Sequence, residues 1–132
     1  MILVDTSVLI NYFRGARTPK TDVFASVLDH GIPFGICGVV YQELLQGCRS
    51  DRDFRRLRAY LDTQLFYDVL DGRESYVRAA RLFFDLRRKG RTVRSTVDCL
   101  IAQIAIENGL RLLHDDADFD AIQAGSKLRT YL

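Results

Sequence analysis

Hydrophobic and polar positions along this chain fall into short blocks whose period changes repeatedly. Ile2, Leu3 and Val4 make a wholly apolar run that ends at Asp5-Thr6-Ser7. That is the pattern of a buried strand feeding a helix capped by Thr6 or Ser7. Val8, Leu9, Tyr12 and Phe13 then recur at helical spacing as far as Gly15. A second helix is predicted from Lys20 to His30, stopped at Gly31, and residues 33–36 read as a second strand. Val40/Leu44 and Tyr41/Leu45, each pair four apart, predict a helix over residues 39–46. A charged helix follows over residues 52–61. Residues 64–69 are the third strand candidate, with poor alternation. Residues 74–89 form a strongly amphipathic helix closed by Gly90, and residues 97–108 are apolar nearly all round, hence a buried helix ending at Gly109. Arg111-Leu112-Leu113 is the fourth strand, Asp116 or Asp118 opens a last short helix, and residues 128–132 are a candidate fifth strand.

Strands that alternate with helices imply parallel strands joined by right-handed crossovers. The expected fold is therefore α/β, a three-layer α/β/α sandwich around a mostly parallel sheet of four to five strands. The 132 residues are the size of one domain, and 48% hydrophobic content suffices for a real core. No linker or repeat divides residues 1–132. The N-terminal apolar run is too short for a signal peptide or a membrane span, and the most apolar later stretch, Val97 to Ile106, carries Asp98 and Gln103. The expectation is a soluble cytoplasmic protein with no membrane partner. Cys37, Cys48 and Cys99 form no C-x-x-C pair, which argues against a disulfide framework and against structural zinc.

A formal net charge of +2 says little, but its distribution says more. Arg49, Arg52, Arg55, Arg56 and Arg58 cluster in one segment, and Arg87, Arg88, Lys89, Arg91 and Arg94 in another with no acid between them. Such blocks are either solvated helix faces or surfaces for a polyanion. Arg87, Arg88 and Arg91 are the candidate RNA contacts.

In parallel sheets, ligands sit beyond the carboxyl ends of the strands. Asp5 directly follows the first strand, and Asp115-Asp116 follow the fourth, so acids fall on that edge. Each acid alone has an ordinary explanation. Asp5 suits a turn, Glu43 a solvated helix, Ser95-x-x-Asp98 a capping box, and Asp116 or Asp118 a helix cap. Together they are harder to dismiss. Val39, Val40, Leu44 and Leu45 surround Glu43, Asp98 lies on the most apolar helix, and Val4 and Val8 flank Asp5. Buried carboxylates are costly unless paired or bound to a cation. Oxygen ligands without a thiol pair suit Mg²⁺ or Mn²⁺. Such a cation supplies phosphodiester hydrolysis without a histidine base. A two-histidine mechanism is short of parts, since only His30 and His114 are present. A haloacid-dehalogenase-like phosphatase needs a second acid where Ser7 stands, and a phosphoacceptor receiver domain needs an acidic neighbour that Asp5 lacks.

Four stretches carry a more specific signal: Ile2-Leu3-Val4-Asp5-Thr6-Ser7-Val8-Leu9-Ile10, Tyr41-Gln42-Glu43-Leu44-Leu45-Gln46-Gly47, Thr96-Val97-Asp98-Cys99-Leu100-Ile101-Ala102 and Leu112-Leu113-His114-Asp115-Asp116-Ala117-Asp118-Phe119. In this order and spacing they resemble the PIN-domain family, and within it the VapC-type toxins of bacterial toxin–antitoxin pairs. The resemblance implies a Mg²⁺- or Mn²⁺-dependent endoribonuclease acting on structured RNA such as tRNA or rRNA. It implies Asp5, Glu43, Asp98 and Asp116 as the catalytic acids, with Asp5, Asp98 and Asp116 on the metal. It further implies Thr6 or Ser7 as a nearby hydroxyl, Asp118 as an auxiliary acid, a homodimer, and inhibition by a small antitoxin protein. His114 stands where many relatives carry a small hydroxyl residue. A catalytically silent RNA-binding or antitoxin-titrating module is the rival, though such a module has no use for mutually repelling carboxylates.

Overall fold

A computed structural model describes residues 1–132. Five strands form one sheet in the order β3-β2-β1-β4-β5, every neighbouring pair parallel. They are β1 (Ile2–Val4), β2 (Phe34–Cys37), β3 (Leu65–Tyr67), β4 (Arg111–Leu113) and β5 (Arg129–Thr130). Seven helices connect them: α1 (Thr6–Phe13), α2 (Pro19–Asp29), α3 (Gly38–Gln46), α4 (Asp51–Leu61), α5 (Arg73–Arg88), α6 (Thr96–Glu107) and α7 (Ala117–Gly125). The α1–α4 helices pack in sequence, α1 on α2 and α3, and α3 on α4, while α5, α6 and α7 pack on one another. The sheet lies between these groups, giving the expected three layers.

β1 and β2 are apolar throughout because both faces are covered. Ile2, Leu3 and Val4 are all buried, as is every residue of β2. The outer strand β3 instead exposes Leu65 and Phe66, which explains its poor alternation. The glycines expected to stop helices, Gly15, Gly31, Gly90 and Gly109, all take positive φ, where a side chain would be strained. Gly35 is different. A Cβ there would lie 2.4 Å from the Tyr67 ring and 2.9 Å from the Leu65 carbonyl oxygen, so the β2–β3 pairing leaves no room for one. No helix is long and apolar enough to cross a membrane, and the three cysteines are free.

Three local readings differ from the structure. Neither Thr6 nor Ser7 caps α1: Asp5 is the N-cap residue, and its carboxylate accepts the Ser7 backbone N–H. The capping box at Ser95-x-x-Asp98 does not form either, since the Ser95 side chain makes no capping hydrogen bond. The fifth strand is also shorter than residues 128–132, because β5 pairs only Arg129 and Thr130 with β4.

The strand order fixes where a site can be. From β1 the chain steps outward to β2 and β3, then crosses back to β4 on the other side of β1. The order reverses between β1 and β4, and at such a switch point the connecting segments part and leave a crevice. Asp5 and His114 are the first residues beyond β1 and β4. The Asp5 backbone N–H donates to the Leu113 carbonyl at 2.9 Å, closing the end of that ladder.

Candidate functional site

Acids from four segments meet at this crevice. Asp5 leaves β1, Glu43 lies on α3, Asp98 is in the first turn of α6, and Asp116 and Asp118 open α7. Asp98, Asp116 and Asp118 bring carboxylate oxygens within 4.8 Å of one another. Asp5, Asp98 and Asp118 are buried despite their charge.

Each acid is held differently. Asp5 accepts the Ser7 backbone N–H at 3.0 Å and the Ser7 hydroxyl at 2.6 Å on the same oxygen. Ser7 Oγ in turn accepts the Asp115 backbone N–H at 2.9 Å, tying the β1 turn to the β4 turn. Thr6 donates its hydroxyl to Glu43 Oε1 at 3.1 Å. The two hydroxyls expected as alternatives thus serve two different carboxylates. Asp116 is the N-cap of α7 and accepts the Asp118 backbone N–H at 2.9 Å. Asp118 accepts the Arg94 backbone N–H at 3.2 Å, and the Arg94 guanidinium lies 3.6 Å from its other oxygen.

Asp98 has no such support, and no hydrogen bond is donated to it. Burial, then the charges of Asp5, Asp116, Asp118 and Glu43, push its carboxyl from 3.8 to about 7. Burial is also the main cause that raises Asp5, against the lowering influence of its Ser7 hydrogen bonds. His114 is held below its usual range, chiefly by burial. The metal-free cluster is electrostatically unfavourable at Asp98, where neighbouring carboxylates oppose ionisation. All the available donors are hard oxygens, and Arg94 is the only cation paired with any of them. The residues present therefore fit a divalent cation of the Mg²⁺ or Mn²⁺ type.

The family resemblance implies Asp5, Asp98 and Asp116 on the metal and Asp118 in an auxiliary role. In the structure Asp98, Asp116 and Asp118 make the tightest group, and Asp5 acts on Asp98 from its Ser7-held position. Arg87, Arg88 and Arg91 are exposed at the end of α5 and just beyond it, and none makes an ion pair. The Arg87 and Arg88 guanidinium groups stand over Phe83 and Phe84, at 5.6 and 5.5 Å. Arg94 is the residue that sequence reasoning passed over. It looked like one more member of a basic block, and nothing in the sequence links it to Asp118, 24 positions later.

A PIN domain model matches residues 2–125. Ribonuclease VapC11 of Mycobacterium tuberculosis is 35% identical over 123 residues, which cover 92% of this chain and 91% of that protein. The VapC ribonuclease Mb1587 of Mycobacterium bovis matches to the same extent. Among solved structures, VapBC2 from Rickettsia felis, bound to a DNA fragment from its promoter, aligns with a TM-score of 0.74 at 18% identity, over 99% of this chain and 98% of that one. VapBC-1 from nontypeable Haemophilus influenzae aligns at 0.73 with 17% identity, over 99% and 97%. The match to the family model spans all four acidic segments, and the chain belongs to the PIN domain family.

Proposed function

We propose that this protein is a Mg²⁺- or Mn²⁺-dependent endoribonuclease toxin, neutralised by a small cognate antitoxin. The observation that carries this reading is the convergence of carboxylates on the sheet's switch point, with Asp98 buried and raised by its acidic neighbours. The 35% identity to VapC ribonucleases supports RNA as the polymer cut, and tRNA or rRNA is the class that the family resemblance implies. The homology to VapC and the fold shared with VapBC complexes support the antitoxin.

Asp98, Asp116 and Asp118 would hold the cation, with Asp5 beside them. When bound, it would stabilise negative charge on the scissile phosphate and make a nearby water more acidic. The chain's own residues do the rest. Ser7 fixes the rotamer of Asp5. Thr6 occupies Glu43 Oε1 and leaves Oε2 to take up the proton of the attacking water. Arg94, whose side chain is 76% exposed, can meet a phosphate without leaving Asp118. Arg87, Arg88 and Arg91 extend the basic surface that RNA would cross.

Two further surfaces suit the partners. Between α1, α3 and α4 runs a groove of about 910 Å³, lined by Phe13, Leu57 and Tyr60 among other apolar residues, by Arg14, Arg49 and Arg56, and by a single acid, Asp53. An apolar lining with three arginines against one acid fits an acidic amphipathic segment of the antitoxin. A smaller groove of about 370 Å³ between α5 and α6, lined by Tyr76, Phe83, Val97 and Leu100 among others, fits a second copy of the chain. A cytoplasmic location, where RNA and antitoxin meet the enzyme, completes the proposal.

Controlled expression followed by sequencing of RNA ends tests it. New ends at discrete positions, absent when Asp5→Asn is expressed instead, are the expected result. RNA ends unchanged by the wild-type chain would leave only a silent binding module.

A further inference from the structure

His114 is buried, 3% exposed, at the first position beyond β4. A buried imidazole must satisfy two ring nitrogens with different needs. Nδ1 lies 3.2 Å from the Asp116 backbone nitrogen, and that N–H can only donate. Nδ1 is therefore the unprotonated acceptor, and the ring proton sits on Nε2, which faces Asp120 at 3.8 Å. The ring plane is fixed by Phe119, itself fully buried, at a centroid distance of 5.1 Å.

What hangs on that hydrogen bond is the acidic cluster. The His114 Nδ1 accepts the Asp116 N–H, Asp116 Oδ1 accepts the Asp118 N–H, and Asp118 Oδ2 accepts the Arg94 N–H. Two of the three clustered carboxylates thus belong to a relay that starts at the imidazole. Without an acceptor at the Nδ1 position the Asp116 amide loses its partner, and the turn that aims Asp116 towards Asp98 loses its constraint.

We infer that His114 is a positioning residue: through Nδ1 it holds the Asp116 backbone so that Asp116 and Asp118 are presented to a divalent cation beside Asp98. The inference rests on the reading of that cluster as a cation site. His114 here is not a base, and its role needs an acceptor at one point in space. Asn places Oδ1 where the histidine has Nδ1, Gln reaches instead to the Nε2 position, and Leu keeps the bulk without either.

The test is Mn²⁺ binding by calorimetry to the wild type and to His114→Asn, His114→Gln and His114→Leu. Thermal unfolding and Asp116 amide exchange by NMR are recorded alongside. Asn should bind within about threefold of wild type and keep the Asp116 amide protected. Gln and Leu should weaken binding about tenfold, the equivalent of one hydrogen bond worth about 1.4 kcal/mol, and their Asp116 amides should exchange faster. Leu binding Mn²⁺ as wild type does, with only its unfolding temperature changed, would show that His114 merely packs. Gln restoring binding where Asn fails would shift the role to Nε2 and overturn the inference. Wild type that binds no Mn²⁺ would defeat the cation reading instead, and the exchange data would still decide the positioning role. Should Leu fail to fold, the ¹⁵N shifts of the wild-type ring decide: a protonated Nδ1 contradicts the assignment.

Discussion

Asp98→Asn separates a metal-holding acid from a helix-capping one, because the two roles predict opposite changes in stability. The substitution keeps the shape and removes one charge. In the folded, metal-free protein the Asp98 carboxyl is raised from 3.8 to about 7 by burial and by its acidic neighbours. The folded state therefore binds this proton more tightly than the unfolded chain does. The stability linked to it is present at low pH and is lost as the pH rises from about 4 to about 7. Above that, the ionised carboxylate weighs against folding. Three tenfold steps in proton affinity, at about 1.4 kcal/mol each, set a ceiling of roughly 4 kcal/mol. Relaxation of the cluster and solvent on its open side lower this, and Asn still carries a desolvation cost. A gain on the order of 1–3 kcal/mol for the metal-free variant at mildly alkaline pH is expected. Added Mn²⁺ should reverse the ranking. Wild type should gain about 2.7 kcal/mol at a hundredfold excess over Kd, and the variant, short of a ligand, far less, while its ribonuclease activity collapses. Urea unfolding followed by circular dichroism, with chelator and with Mn²⁺, reads both effects. A variant that is less stable than wild type without metal, yet gains as much from Mn²⁺, would refute the reasoning and leave Asp98 as a scaffold residue.

Charge reversal at Arg87, Arg88 and Arg91 should weaken RNA binding at low salt and flatten its salt dependence, by very roughly one in slope for each phosphate that is no longer neutralised; filter binding across a salt series measures this. Light scattering without antitoxin should report a dimer, and Tyr76→Glu, which puts a charge in the α5–α6 groove, should yield monomer with activity per chain retained when its helical content is unchanged. Gly35→Ala should cost about 1–3 kcal/mol in chemical unfolding, since its Cβ meets the Leu65 carbonyl as well as the Tyr67 ring.

The sequence carried the fold through features that are local. The apolar run at residues 2–4 and the Leu112-Leu113 pair fall on buried parallel strands, and glycine marks the helix ends where backbone takes positive φ. Edge strands were harder, because β3 buries little and β5 pairs only two residues, so neither needs a clean pattern. The acids were legible as types and positions on elements. Their supports were not, because they arise between distant segments: Thr6 with Glu43, Ser7 with the Asp115 amide, Arg94 with Asp118. The grouping within the cluster is also a tertiary property. Asp118 stands beside Asp98 because Asp116 caps α7 and sets the direction of its first turn.

Cleavage of RNA by the purified protein, freed of antitoxin, tests the central claim most directly. Labelled total tRNA is incubated with Mn²⁺ or with EDTA, and the product ends are characterised chemically. Discrete fragments with 5′-phosphate and 3′-hydroxyl ends, formed with Mn²⁺ and abolished by EDTA, are the predicted result. Cleavage that survives thorough chelation would contradict the metal-dependent mechanism, and fragments ending in 2′,3′-cyclic phosphate would show that the RNA's own hydroxyl attacks; either would mean that a cation held by the carboxylate cluster is not the centre of the reaction.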